Sequence, residues 1–171
     1  MIEDAPHLSG LLDRSAARRP DHPAVEDDRG GTLTFAALAR AADRLAVRLA
    51  RWGIGRGDRV GLFLPKGLKA VAAIHGILRA GAAYVPVDPT APALRGAGIF
   101  ADGQVKAVVV ASDLAPELRQ AWPIGIGPLP RLVVVGPAAA LGPSDSAWDE
   151  VMADETLAPP RPPHSADDLA Y

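Results

Sequence analysis

The sequence contains no cysteine. That excludes a disulfide framework, a thiolate metal site and a cysteine nucleophile from these 171 residues. No apolar run approaches the roughly 20 residues that a membrane-spanning helix needs. The opening Met1-Ile-Glu-Asp-Ala-Pro6 has neither a positive stretch nor an apolar one, so it does not read as a secretory signal. Neither charge sign dominates. The formal net charge is −2, which gives no ground for nucleic acid or an anionic membrane as a partner. The basic residues are fifteen arginines with Lys66, Lys69 and Lys106, spread along the chain rather than clustered. There is no internal repeat, no G-x-S-x-G nucleophile turn and no G-x-x-x-x-G-K-[ST] phosphate loop. What remains is a domain-sized chain, 49% apolar and 22% charged, with the composition of a soluble globular protein. Its expected location is the cytoplasm.

Periodicity supplies the fold class. Leu8, Leu11, Leu12 and Ala16 fall at helical spacing ahead of Arg18-Arg19-Pro20. Two short extended runs, 23–26 and 32–34, flank a turn at Asp27-Asp28-Arg29-Gly30-Gly31 and predict a hairpin. Phe35, Leu38, Ala42, Leu45, Leu49 and Trp52 alternate steps of three and four, while Arg40, Asp43, Arg44, Arg48 and Arg51 fall largely off that stripe. They predict a helix with Thr34 as N-cap and Gly53 as C-cap. Apolar strands at 59–64, 82–87, 106–111 and 131–135 then alternate with helices at 67–80, 92–102 and 113–121. Strands that are apolar throughout and alternate with helices imply an α/β fold, a largely parallel sheet with helices on both faces. Gly and Pro make most of 123–143 loop, 147–152 reads as one helical turn, 159–163 as a stiff extended segment, and 165 onward as the start of something new.

Few residues invite a catalytic reading, and each has a plainer one. Gly53-Ile54-Gly55-Arg56-Gly57 follows a helix and opens a strand, the reverse of a dinucleotide loop, and its spacing is G-x-G-x-G. It reads as a helix stop and turn. His7, His22, His75 and His164 are scattered without metal-ligand spacing. His75 reads as a packed or hydrogen-bonded core residue ahead of a cleft residue. Asp167 and Asp168 are neighbours in an extended segment and point to opposite sides, so they read as a solvated turn rather than a metal pair. On this footing the chain is a covered α/β sheet with no visible active site.

Particular strings add a resemblance. Leu33-Thr-Phe-Ala-Ala-Leu-Ala-Arg40 resembles the first core motif of the adenylate-forming superfamily, which includes acyl- and aryl-CoA synthetases, luciferase and the adenylation domains of nonribosomal peptide synthesis. The twelve residues Leu78-Arg-Ala-Gly-Ala-Ala-Tyr-Val-Pro-Val-Asp-Pro89 resemble its second core motif, in the amino-acid-activating form. Gly55–Gly61, Leu64–Gly67 and Thr90–Arg95 are similar to segments that the family has in the same order, and Asp167–Tyr171 to the stretch leading into its Ser/Thr/Gly-rich phosphate loop. Two positions depart from the pattern. Ala37 stands where the family often has Glu, which implies a helix start lacking a capping box. Ala91 stands where peptide-synthetase domains often have Tyr. That departure, with a Met close ahead of the first helix, points toward a stand-alone amino-acid or acyl activator without an upstream condensation domain.

The resemblance implies that residues 1–171 are an incomplete N-terminal subdomain of an adenylation domain. It makes none of these residues catalytic, cofactor-binding or metal-binding. It places the phosphate loop, adenine site, acyl pocket, hinge, catalytic lysine and C-terminal lid domain beyond Tyr171. The implied parent is a ligase that uses ATP and Mg²⁺ to turn a small carboxylic acid into an acyl-adenylate. An amino acid is the expected substrate, with β- and other non-standard ones favoured. The acyl group then passes to the phosphopantetheine thiol of a carrier protein, or alternatively to coenzyme A. The implied partners are the carrier, the acid and the remainder of its own chain. A non-catalytic α/β binding module is the competing reading from another class. A nicotinamide-dependent enzyme would need a glycine loop between strand and helix, which is missing.

Overall fold

The computed structural model describes residues 8–137, 141–155 and 170. Helix α1 (Leu8–Arg18) leads into the hairpin, β1 (Pro23–Glu26) and β2 (Thr32–Thr34), an antiparallel two-stranded sheet of its own. Asp27 holds its turn, its Oδ1 accepting from the N–H groups of Arg29 at 3.0 Å and Gly31 at 2.7 Å.

Helix α2 (Phe35–Arg51) begins at the expected cap, where Thr34 Oγ1 accepts from Ala37 N–H at 3.2 Å. Phe35 N–H donates to the His22 carbonyl and Ala36 N–H to the Pro20 carbonyl, both at 3.0 Å. The loop before the hairpin thus satisfies donors that a helix start otherwise leaves free. At the other end the cap is Trp52, one residue before the glycine anticipated there. Gly53 follows with φ 74, its N–H bonded to the Ala50 carbonyl, and Ile54 N–H reaches back to Leu49. A left-handed residue closes the helix in this way, and glycine adopts it without a Cβ penalty.

The main sheet is built from β3 (Arg59–Phe63), α3 (Leu68–Arg79), β4 (Ala83–Pro86), α4 (Ala93–Asp102), β5 (Ala107–Ala111), α5 (Ala115–Ala121), β6 (Arg131–Val135), β7 (Ser146–Ala147) and α6 (Trp148–Ala153). Its five strands are parallel, in the order β4-β3-β5-β6-β7. The two-residue β7 is an addition to the strands read from sequence. Side chains alternate between the two faces of each strand. On one face Leu62, Val109 and Val133 meet Leu45, Leu49 and Ile77 of α2 and α3. On the other, Val108, Val110 and Leu132 meet Ala97, Phe100 and Leu118 of α4 and α5. There Phe63 and Phe100 pack edge to face, with centroids 6.0 Å apart. Helices α2 and α3 approach closely at Gly76, where a Cβ would lie 2.8 Å from the Leu45 side chain.

β4 forms one edge of the sheet. Pro86, which has no N–H to donate, is tolerated in such a strand. Tyr84 N–H, beside it, donates to the Ala170 carbonyl at 2.9 Å.

Candidate functional site

The topology points to one place. β3 leads through α3 to β4 on one flank, and the chain then returns through α4 to β5 on the other flank of β3. The strand order therefore reverses between β3 and β5. In open α/β sheets, ligands bind outside the carboxyl ends of the strands at such a reversal. The loops gathered at that edge are 64–67 after β3, 87–92 after β4 and 112–114 after β5.

Their polar groups are Lys66, Asp88, Thr90, Ser112 and Asp113. Asp88 Oδ1 accepts from Thr90 N–H at 2.9 Å and from the Thr90 hydroxyl at 2.7 Å. These bonds, the backbone one foremost, hold the Asp88 carboxyl below the ordinary carboxylate range, and the Lys66 charge adds to them. Asp88 is thus an ionised turn-former beside a lysine, its carboxylate engaged by the Thr90 backbone and hydroxyl. Among the described residues no group of three His, Cys, Asp or Glu side chains could hold a metal ion. No helix among them is long and apolar enough to cross a membrane.

The segment Gly53–Gly57 is a turn, closed by Gly55 N–H donating to Asp58 Oδ2 at 3.0 Å, and β3 follows it. His22 is exposed, and it is its carbonyl that serves α2. His75 is half-buried in α3, and its buried Nδ1 has no hydrogen-bond partner among the described residues. It is packed but not hydrogen-bonded through that atom. Burial, and after it the Arg79 charge, push its pKa below the ordinary histidine value. His7, His164, Asp167 and Asp168 lie outside the described residues.

Sequence reasoning missed the strongest polar constellation. Arg79, in the last turn of α3, is buried and donates to Asp43 of α2 at 2.9 Å, to the Ala39 carbonyl at 2.8 Å and to Asp13 of α1. The available signal was an arginine at the head of the largely apolar string that starts at Leu78. It ties three helices together and lies on their face of the sheet, so its chemistry is structural.

The profile of a family described as AMP-binding enzyme matches residues 12–171. An isonitrile lipopeptide synthase of Streptomyces coeruleorubidus is 46% identical over 108 residues, which are 63% of this chain and 7% of that protein. A pyochelin synthetase of Pseudomonas aeruginosa is 36% identical over 163 residues, 95% of this chain and 8% of its own length. A benzoate CoA ligase from Burkholderia xenovorans LB400 shares the fold, with a TM-score of 0.78 over 95% of this chain and 31% of that one at 22% identity. The chain spans less than a tenth of those two synthetases' length.

Proposed function

The chain belongs to the AMP-binding enzyme family, and we propose that it is the N-terminal part of a ligase that activates an amino acid as its acyl-adenylate and loads it onto a carrier protein. On this reading residues 1–171 are an incomplete subdomain of an adenylation domain in a cytoplasmic protein. The ATP loop, acyl pocket and lid domain belong to polypeptide outside it.

The observation that carries the reading is the family match, which runs through nearly the whole described fold. The curated relatives are named as an isonitrile lipopeptide synthase and a pyochelin synthetase. They favour an amino acid and a carrier over coenzyme A, because the likeness to the CoA ligase is one of fold.

The described residues do not themselves fit ATP or Mg²⁺. The β3–α3 loop carries a single glycine, Gly67, rather than a glycine-rich run. Asp88 is turned onto Thr90, and among the described residues no group of three His, Cys, Asp or Glu side chains could hold a cation. What these residues supply is a rigid sheet. The bond from Tyr84 N–H to the Ala170 carbonyl sets residue 170 beside β4.

The test uses the parent polypeptide with ATP, an amino acid and a phosphopantetheine-bearing carrier, read by the carrier's intact mass. A mass gain equal to the aminoacyl group is expected. Acyl-CoA formation with an unloaded carrier would replace this reading with the CoA-ligase alternative. Loading of neither acceptor would favour a non-catalytic module.

A further inference from the structure

The opposite, amino-terminal edge of the sheet has a groove of about 620 Å³, within the usual range for ligand sites. Trp52 and Ile54, just after α2, and Trp122, just after α5, give it an apolar lining. Lys106 and Arg131, at the starts of β5 and β6, are its charged lining residues. One wall is preformed. Pro128 and Pro130 have fixed φ angles, and the Trp122 indole N–H donates to the Gly127 carbonyl at 3.2 Å. Ile126 in that wall is 58% exposed, and Ile124, two residues before it, is wholly exposed. Apolar surface therefore continues past the groove, as at interaction sites.

Charge selects the occupant. Among the described residues no Asp or Glu lines the groove. Lys106 is already matched by Asp58 at 2.6 Å. Arg131 has no carboxylate partner among the described residues. Its guanidinium instead lies 5.5 Å from the centroid of the Trp52 ring. An arginine stacked on an indole still presents N–H donors to an anion, and its planar fork suits a carboxylate. We infer that this groove docks an extended acidic peptide, which seats a large apolar side chain on the tryptophan-lined floor and pairs a carboxylate with Arg131. The site lies at the edge of the sheet away from the candidate reaction loops. Its occupant is a docking partner, separate from the substrate.

The test measures fluorescence anisotropy of two labelled peptides with the full chain, its fold checked by circular dichroism. The probes are acetyl-Glu-Glu-Leu-Phe-Glu-Asp and its lysine counterpart, acetyl-Lys-Lys-Leu-Phe-Lys-Lys. The acidic peptide is expected to bind saturably and the basic one about tenfold more weakly or not at all, and Arg131→Glu is expected to weaken the acidic peptide by a similar factor. Raising the salt weakens binding, because the pair lies at an exposed rim. Absence of saturable binding, equal binding of the two peptides, or an unchanged affinity in a folded Arg131→Glu variant would each overturn the proposal. The peptide comparison decides the matter if that variant does not fold.

Discussion

The guanidinium of Arg79, only 2% exposed, donates to the Asp43 carboxylate at 2.9 Å. Asp13 of α1 and the Ala39 carbonyl share the same group, so one cation joins three helices. Taking the arginine's charge out of water is costly, and its removal leaves two part-buried carboxylates without their shared partner. Arg79→Ala is expected to lose about 3–5 kcal/mol of stability. Arg79→Lys keeps the charge but not the planar fork, and is expected to lose about 1–3 kcal/mol. Urea denaturation of the full chain measures both. An Arg79→Ala cost of only a few tenths of a kcal/mol would contradict the clamp.

Gln104 has φ 50, the one non-glycine residue with positive φ among those described. It occupies the place after α4 that Gly53 and Gly81 occupy after α2 and α3. Gln104 N–H bonds the Ala101 carbonyl, and Val105 N–H bonds that of Phe100. The neighbouring Gly103 is one position too early to relieve the strain, with φ −70. Gln104→Gly is expected to stabilise the fold by up to about 1 kcal/mol, and Gly81→Ala to cost about the same. Shifts of the urea midpoint in opposite directions, at constant denaturant slope, check the pair.

His75 predicts a pH dependence. Its folded-state pKa lies below the ordinary value because burial, and then Arg79, disfavour the imidazolium. The unfolded chain therefore binds the proton more readily, and folding stability rises with pH across this window. Its contribution is fully present above about pH 6.5, the unfolded value, and is lost as pH falls toward the folded one. His75→Gln should flatten that limb. Stability measured by urea at several pH values between neutral and mildly acidic compares the two chains. An identical slope in the variant would rule out this assignment.

The regular elements were legible wherever periodicity alone decides the outcome. The stripe from Phe35 to Trp52 specifies α2 because a single buried face recurs at helical steps. The run at 107–111 specifies a central strand because all five positions are buried. β7 was not legible. Ser146 and Ala147 are two residues with no pattern of their own, placed in the sheet by pairing with Val133 and Val134. The carbonyls of Pro20 and His22 that accept from Ala36 and Phe35 at the start of α2 were not legible either, because sequence patterns do not display them. Arg79 was visible as an isolated charge, yet its partners lie 36 and 66 residues away. Only the fold brings them together.

On the proposed function this chain is part of an enzyme that makes acyl-adenylates. Exchange of labelled pyrophosphate into ATP by the full-length parent, surveyed across amino and non-amino acids, tests it most directly. Acid-dependent exchange, strongest with one amino acid, is expected, with none from residues 1–171 alone. A folded parent that shows no exchange with any acid would contradict it.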